Sequence, residues 1–282
     1  MIMAIPLAGL AIFFFWQWIN GGESPKDAVR SVQETARQQS TTAPPKTAEP
    51  ESALPRVQPR HRRARGGDIV LIIDDLGFDG QPLDKLMALD PNLNCSILPN
   101  GTRATEFAER LHARGFEVLC HLPMQPIGRE APGRNAILTS MDDEEIARLT
   151  RENVEAIPYA RGVNNHMGSL ATSDRRVMKS VIGALPAGMY FVDSRTAGGS
   201  IAAQVAREMN VRTATRNVFL DDVATEASVR RQLAALATAA ETHGTAIGIG
   251  HPHPVTLRVL QEELPALRER GFRFVRASSV VR

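Results

Sequence analysis

Four of the seven histidines, His121, His166, His251 and His253, stand where apolar, strand-like runs give out, in CHLPM, NNHMGS and GHPHP. Carboxylates stand at equivalent places: Asp74-Asp75 ends IVLIIDD, Asp193 ends MYFVD, and Asp221-Asp222 follows NVFL. Two adjacent carboxylates after an apolar run are costly unless something compensates, and a divalent cation does that well. One Asp with two neutral imidazoles suits a catalytic zinc, leaving positions for water and substrate. A second carboxylate beside the metal can act as general base, and a histidine across the pocket can protonate a leaving group. The constellation reads as metal-assisted hydrolysis. Each residue also has a plainer reading: Asp74-Asp75 as a turn cap, His121 as a satisfied core histidine, His251-Pro252-His253-Pro254 as a rigid loop without a role. Their gathering at one kind of place in the chain favours chemistry. The other histidines, His61, His112 and His243, fall in a polar segment or in helices and read as surface residues.

Placing these groups on one rim requires strands that all point the same way. From Asp68 the chain alternates apolar runs of strand length (DIVLIIDD, LNCSIL, FEVLCHLP, MYFVDS, TAIGIG) with amphipathic helical segments such as ATEFAERLHARG and MDDEEIARLTRENVEAI. Such alternation predicts parallel βαβ units. Seven or eight units in residues 68–282 predict an α/β fold, a small (β/α)7–8 barrel, with a doubly wound open sheet as the alternative. In either architecture catalytic groups collect at the strand C-terminal edge, where the Asp and His clusters fall. Asn165, Asp193, Arg195 and Asp222, at the same edge, are the candidate substrate contacts, with His253 as a further one. No GxGxxG follows the first strand and no GxxxxGK[ST] occurs, so nucleotide binding has no support.

The net charge of +2 is an average of two unlike parts. Residues 1–66 carry nine Lys/Arg against five Asp/Glu, and residues 67–282 carry 24 against 26. The folding part is thus slightly acidic, which argues against a nucleic-acid partner. Residues 1–19, MIMAIPLAGLAIFFFWQWI, contain no charge. As a helix they are ~28 Å long, about the hydrocarbon thickness of a bilayer. A membrane anchor over 1–20 is expected, with a cleaved signal segment as the alternative. Lys26, Arg30 and Arg37 follow the run and, on charge alone, argue for a cytoplasmic flank. Residues 21–67 are rich in Pro, Thr, Ser and Arg, without hydrophobic periodicity, and read as a disordered linker between membrane and domain. Cys95 and Cys120, the two cysteines, read as buried thiols in strands. They pair only if their Cα atoms come within ~7 Å.

The blocks IVLIIDDLGFDG, HLPMQP, VNNHMGS, FVDSRT and IGHPHPVT, in that order, resemble the divergent polysaccharide deacetylases of bacteria. That group is distantly similar to the NodB-type deacetylases of carbohydrate esterase family 4. The resemblance covers about residues 67–280 and implies a deformed (β/α) barrel whose zinc-type site removes acetyl from N-acetylated sugars of a polysaccharide or peptidoglycan. It implies Asp74 as catalytic base, Asp75 and His121 as metal ligands, and His251 as catalytic acid. The NodB-type pattern has a further histidine four residues after the first; that place is Gln125 here. The third ligand is therefore sought first in His166 and then in His253. The arginine of the third NodB-type block has no counterpart in VNNHMGS. The expected protein is an envelope hydrolase, tethered to the inner membrane and facing the periplasm. A non-catalytic glycan- or partner-binding protein on the same barrel, motivated by Gln125, and a metal phosphoesterase are the alternatives.

Overall fold

DIVLIIDDL forms β1 (Asp68–Leu76), apolar at nearly every position because both of its faces are covered. It pairs in parallel with β8 (Thr245–Gly250), Ile69 opposite Ala246 through Ile73 opposite Gly250, and with β2 (Asn94–Ile97). The computed structural model describes residues 66–282; the expected anchor and all but the last two residues of the expected linker lie outside them. No helix among the described residues is long and apolar enough to cross a membrane.

Beyond β2 follow β3 (Glu117–Met124), β4 (Gly162–Met167), β5 (Tyr190–Asp193), β6 (Thr213–Thr215) and β7 (Val218–Phe219). The sheet order is β6-β5-β4-β3-β2-β1-β8-β7, every pair parallel, with β9 (Arg273–Phe274) added beside the start of β1. From β1 to β6 each step moves one place in the same direction, so the doubly wound alternative, which requires a reversal, does not apply. The two end strands, β6 and β7, are joined by only Arg216 and Asn217. A connection that short obliges the sheet to curl until its ends meet. The segment pairs first with β5, through Arg216 N to Asp193 O (3.0 Å), then with β8, through Asn217 N to Ile247 O (2.8 Å).

Among the described residues seven α-helices link the strands: α1 (Leu83–Met87), α2 (Ala104–Ala113), α3 (Asp143–Glu155), α4 (Arg175–Gly183), α5 (Ala202–Glu208), α6 (Glu226–His243) and α7 (Pro254–Glu269). Asp142 and Asp174 cap α3 and α4 by accepting from backbone N–H groups of the first turn. Side chains alternate along the strands. Ile69, Leu71 and Ile73 join the large cluster between sheet and helices. Val70, Ile72, Leu119, Tyr190, Val192, Ile247 and Ile249 join a separate cluster together with Ala277 and Val281 from the C-terminal segment. This second cluster is the curled sheet's interior, closed at the strand N-terminal end by the chain's last residues. Cys95 and Cys120 are free, buried thiols.

Candidate functional site

Continuing each interior row by two residues toward the strand C-termini gives Asp74, Ser96, His121, Asn164, Ser194 and Arg216. These polar groups form a layer on top of the apolar interior, the usual layering of parallel barrels. Asn164, fully buried, is its hub. Its Nδ2 donates to both oxygens of Asp74 (2.9 and 3.0 Å) and to Ser194 Oγ (3.1 Å). Its Oδ1 accepts from Ser96 Oγ and from His121 Nδ1 (3.0 Å). Since Asn164 turns its oxygen to His121, the ring carries its proton on Nδ1 and Nε2 presents a lone pair when neutral.

That lone pair faces Asp75. The register of β1 shifts between Ile73 and Leu76, and Asp75 has φ of 58°, a left-handed conformation costly for a residue with a Cβ. The kink turns the Asp75 carboxylate away from its neighbour's and toward two rings: Oδ1 lies 3.2 Å from His121 Nε2 and 2.9 Å from His166 Nδ1. Neither approach has hydrogen-bond alignment, and Oδ1 is buried with no hydrogen-bond partner. Three ligand-type atoms converge, unbonded, within 4.8 Å of one another. Just beyond β4, Gly168 (φ 86°) makes the turn that ends the His166 strand; a Cβ there would lie 2.9 Å from Met124 Cβ.

Across the cleft, His251 follows β8. Its Nδ1 lies 2.9 Å from Asp221 Oδ1, its backbone N donates to Asp221 Oδ2 (2.7 Å), and Thr256 Oγ1 donates to the same oxygen (2.8 Å). His251 Nε2 is 3.7 Å from Asp75 Oδ2. The electrostatics separate the groups. Burial raises the pKa of Asp74, more than His121, His251 and Asn164 lower it. Burial also acts on Asp75, but the close approach of the His121 and His166 rings, and then their charges, outweigh it and hold that carboxyl well below the usual range. Burial alone would lower His251; the bond to Asp221 and the charges of Asp74 and Asp75 push it up to about 9.

The expected site residues thus fall into groups. Asp74, Asp75, His121, His166 and His251 line one cleft of about 690 Å³. Asn165 and Asp222 also line it, with the Asn165 amide fixed by Ser194 N (2.9 Å) and Met167 O (2.7 Å). His253 lies on an adjoining hollow of 730 Å³, its ring 5.8 Å from that of His251. Asp193 and Arg195 are not among the lining residues of either. The Asp193 oxygens accept from Arg195 N and Ser200 Oγ, both at 2.8 Å, so this carboxylate ties down a turn. Gln125 faces away: its Oε1 accepts from Thr139 N (2.7 Å) and Thr139 Oγ1 (2.9 Å). Asn164, Ser194 and Arg216, which sequence reasoning did not select, complete the site together with Asp221, named there only as one of the rim carboxylates.

A curled parallel α/β sheet with an Asp/His cluster at its strand C-terminal ends defines a deacetylase-type barrel. The chain belongs to the divergent polysaccharide deacetylase family, whose model matches residues 71–281. It is 39% identical over 197 residues to the uncharacterised protein YibQ of Escherichia coli K12, covering 70% of this chain and 62% of that one. The chain therefore spans less than two thirds of that relative's length. It is 34% identical over 202 residues to an uncharacterised protein of Haemophilus influenzae, covering 71% of this chain and 72% of that one. The crystal structure of an uncharacterised Agrobacterium tumefaciens C58 protein, 22% identical, shares the fold with a TM-score of 0.74, over 77% of this chain and 90% of that one.

Proposed function

We propose that the protein is a metal-dependent hydrolase that deacetylates N-acetylated sugars of an envelope polysaccharide or peptidoglycan. The observation that carries this reading is the buried, unpartnered Asp75 Oδ1 with His121 Nε2 and His166 Nδ1 converging on it. One carboxylate and two imidazoles fit a zinc ion that keeps open positions. His121, Asp75 and His166 would hold it, and when bound it would supply Lewis-acid polarisation of the acetamide carbonyl. The chain's own residues do the rest. Asp74 takes a proton from the water whose oxygen adds to the acetamide carbon. As the C–N bond breaks, His251 gives its Nε2 proton to the departing sugar nitrogen, releasing acetate and a free amine. Asn164 fixes Asp74 and His121 together, and Asp221 holds the His251 ring.

The uncharged run 1–19 and the linker support a domain tethered to the inner membrane and acting on the periplasmic side, or secreted there if the run is cleaved. The decisive experiment incubates the full chain with N-acetylated glycans and measures acetate release and bound metal. Acetate release that disappears in Asp74→Asn and on metal removal supports the reading. Glycan binding without acetate release from any substrate would replace it with a non-catalytic glycan-binding protein.

A further inference from the structure

Arg216 sits on the two-residue joint between β6 and β7, and its guanidinium lines the cleft that holds Asp74, Asp75, His121 and His251. Two backbone carbonyls pin it: Nε donates to Ser194 O (2.6 Å) and Nη2 to Arg195 O (2.8 Å). Its plane lies over the Phe219 ring, 4.9 Å from the centroid, and Phe219 in turn meets the His251 ring edge-on at 5.3 Å. No carboxylate of the described residues comes within 4.0 Å of it, although 15 Arg–carboxylate contacts form elsewhere among them. Its Nη1 has no partner among the described residues. A half-buried cation held rigid by two carbonyls, with the Asp74, Asp193 and Asp222 carboxylates acting on it only from beyond 4.0 Å and a donor edge open to the cleft, is best completed by a further anion.

We propose that Arg216 is a specificity-determining residue that binds a carboxylate on the substrate, so that the preferred glycan is one whose N-acetylated sugars carry an acid group. The inference rests on the deacetylase reading of the same site. The planar fork of guanidinium matches a carboxylate, and stacking on Phe219 fixes the direction from which it is offered. Arg216 is the one Lys or Arg among the cleft's lining residues. A single cation suits a singly charged carboxylate better than a phosphate, which carries about −1.5 to −2.

The test compares two disaccharides that differ by one carboxylate: N-acetylglucosaminyl-N-acetylmuramic acid and diacetylchitobiose. Binding of each to the full chain is measured by calorimetry, and acetate release is followed in parallel. A charge-assisted contact predicts at least about tenfold tighter binding of the acid. Methyl esterification of the acid should abolish that preference on the unaltered protein. In Arg216→Gln the ratio between the two glycans should fall below about twofold, and Arg216→Lys should keep part of it. Equal binding of both glycans by the wild type, an ester that binds as well as the acid, or a ratio that survives Arg216→Gln overturns the proposal. If chitobiose is bound and deacetylated as well as the acid, only the role of Arg216 falls. If neither disaccharide binds or releases acetate, the deacetylase reading falls with it.

Discussion

Asn164 donates a single amide group to both carboxylate oxygens of Asp74, at 2.9 and 3.0 Å, across two strands that are not neighbours in the sheet. The donor is neutral. A cation in that place would hold Asp74 at an ordinary or lowered pKa; an amide leaves burial dominant, and the carboxyl is raised. The same amide sets the proton on His121 Nδ1. One residue thus couples the candidate base to a candidate metal ligand.

Replacing Asn164 by its isostere tests this coupling. In Asn164→Asp the Nδ2 donor becomes a second carboxylate facing Asp74, and like charges that close cannot both ionise in a buried site. The acid limb of the pH–rate profile should move to higher pH, and kcat at pH 7 should fall by about 10²-fold or more. An unchanged acid limb would remove Asn164 from the positioning of Asp74.

Metal removal should act through Asp75. A bound zinc stabilises the folded state by mass action, so chelation should lower the Tm of the wild type. Asp75→Asn keeps the shape and loses the charge. Its Tm should be insensitive to chelator, and its metal content near zero by elemental analysis. A wild-type Tm unmoved by chelator, with no metal restored on addition, would defeat the metal assignment.

Much of the fold was legible because parallel strands buried on both faces leave strong apolar runs; β1, β3 and β8 fall within a residue or so of expectation. β6 begins only at Thr213, since Val211 N still bonds back to Ala206 O to close the turn after α5. β7, two residues long, is too short to show any period. Asp74, Asp75, His121, His166 and His251 were legible from residue type. Asn164 and Arg216 were not; the amide and guanidinium selected at that edge were Asn165 and Arg195 instead. Strand parity is the signal that finds them: Val192 leads to Ser194 and Ala214 to Arg216, just as Val70 and Ile72 lead to Asp74. The same rule puts Asp193 on the opposite face of β5, where it serves a turn.

The pH dependence follows from the separated carboxyl and imidazole. Asp74 works deprotonated, so the rate falls as pH drops through its raised pKa. His251 works protonated, so the rate falls as pH rises through about 9. Asp221→Asn removes the carboxylate that holds the His251 proton and should move the alkaline limb down toward ~6.5, the unperturbed value. The stability carries the same sign. A histidine raised in the folded state contributes stability that is full below its unfolded pKa and lost as pH rises toward 9. A wild-type alkaline limb that Asp221→Asn leaves in place would detach the acid from His251.

At the opposite end of the sheet a second buried carboxylate does purely structural work. Glu117 accepts from Tyr190 Oη (2.6 Å) and Ser278 N (2.8 Å) through Oε1, and from Ser278 Oγ through Oε2. It ties the C-terminal segment, whose Ala277 and Val281 pack into the interior cluster, under β3 and β5. Glu117→Ala leaves a buried phenol and a backbone N–H unpaired, each worth about 1–3 kcal/mol. The expected loss is about 3 kcal/mol in urea denaturation, with kcat preserved below the melting transition because the reacting groups lie at the other rim. Loss of activity without loss of stability would show that the plug, too, reaches the site.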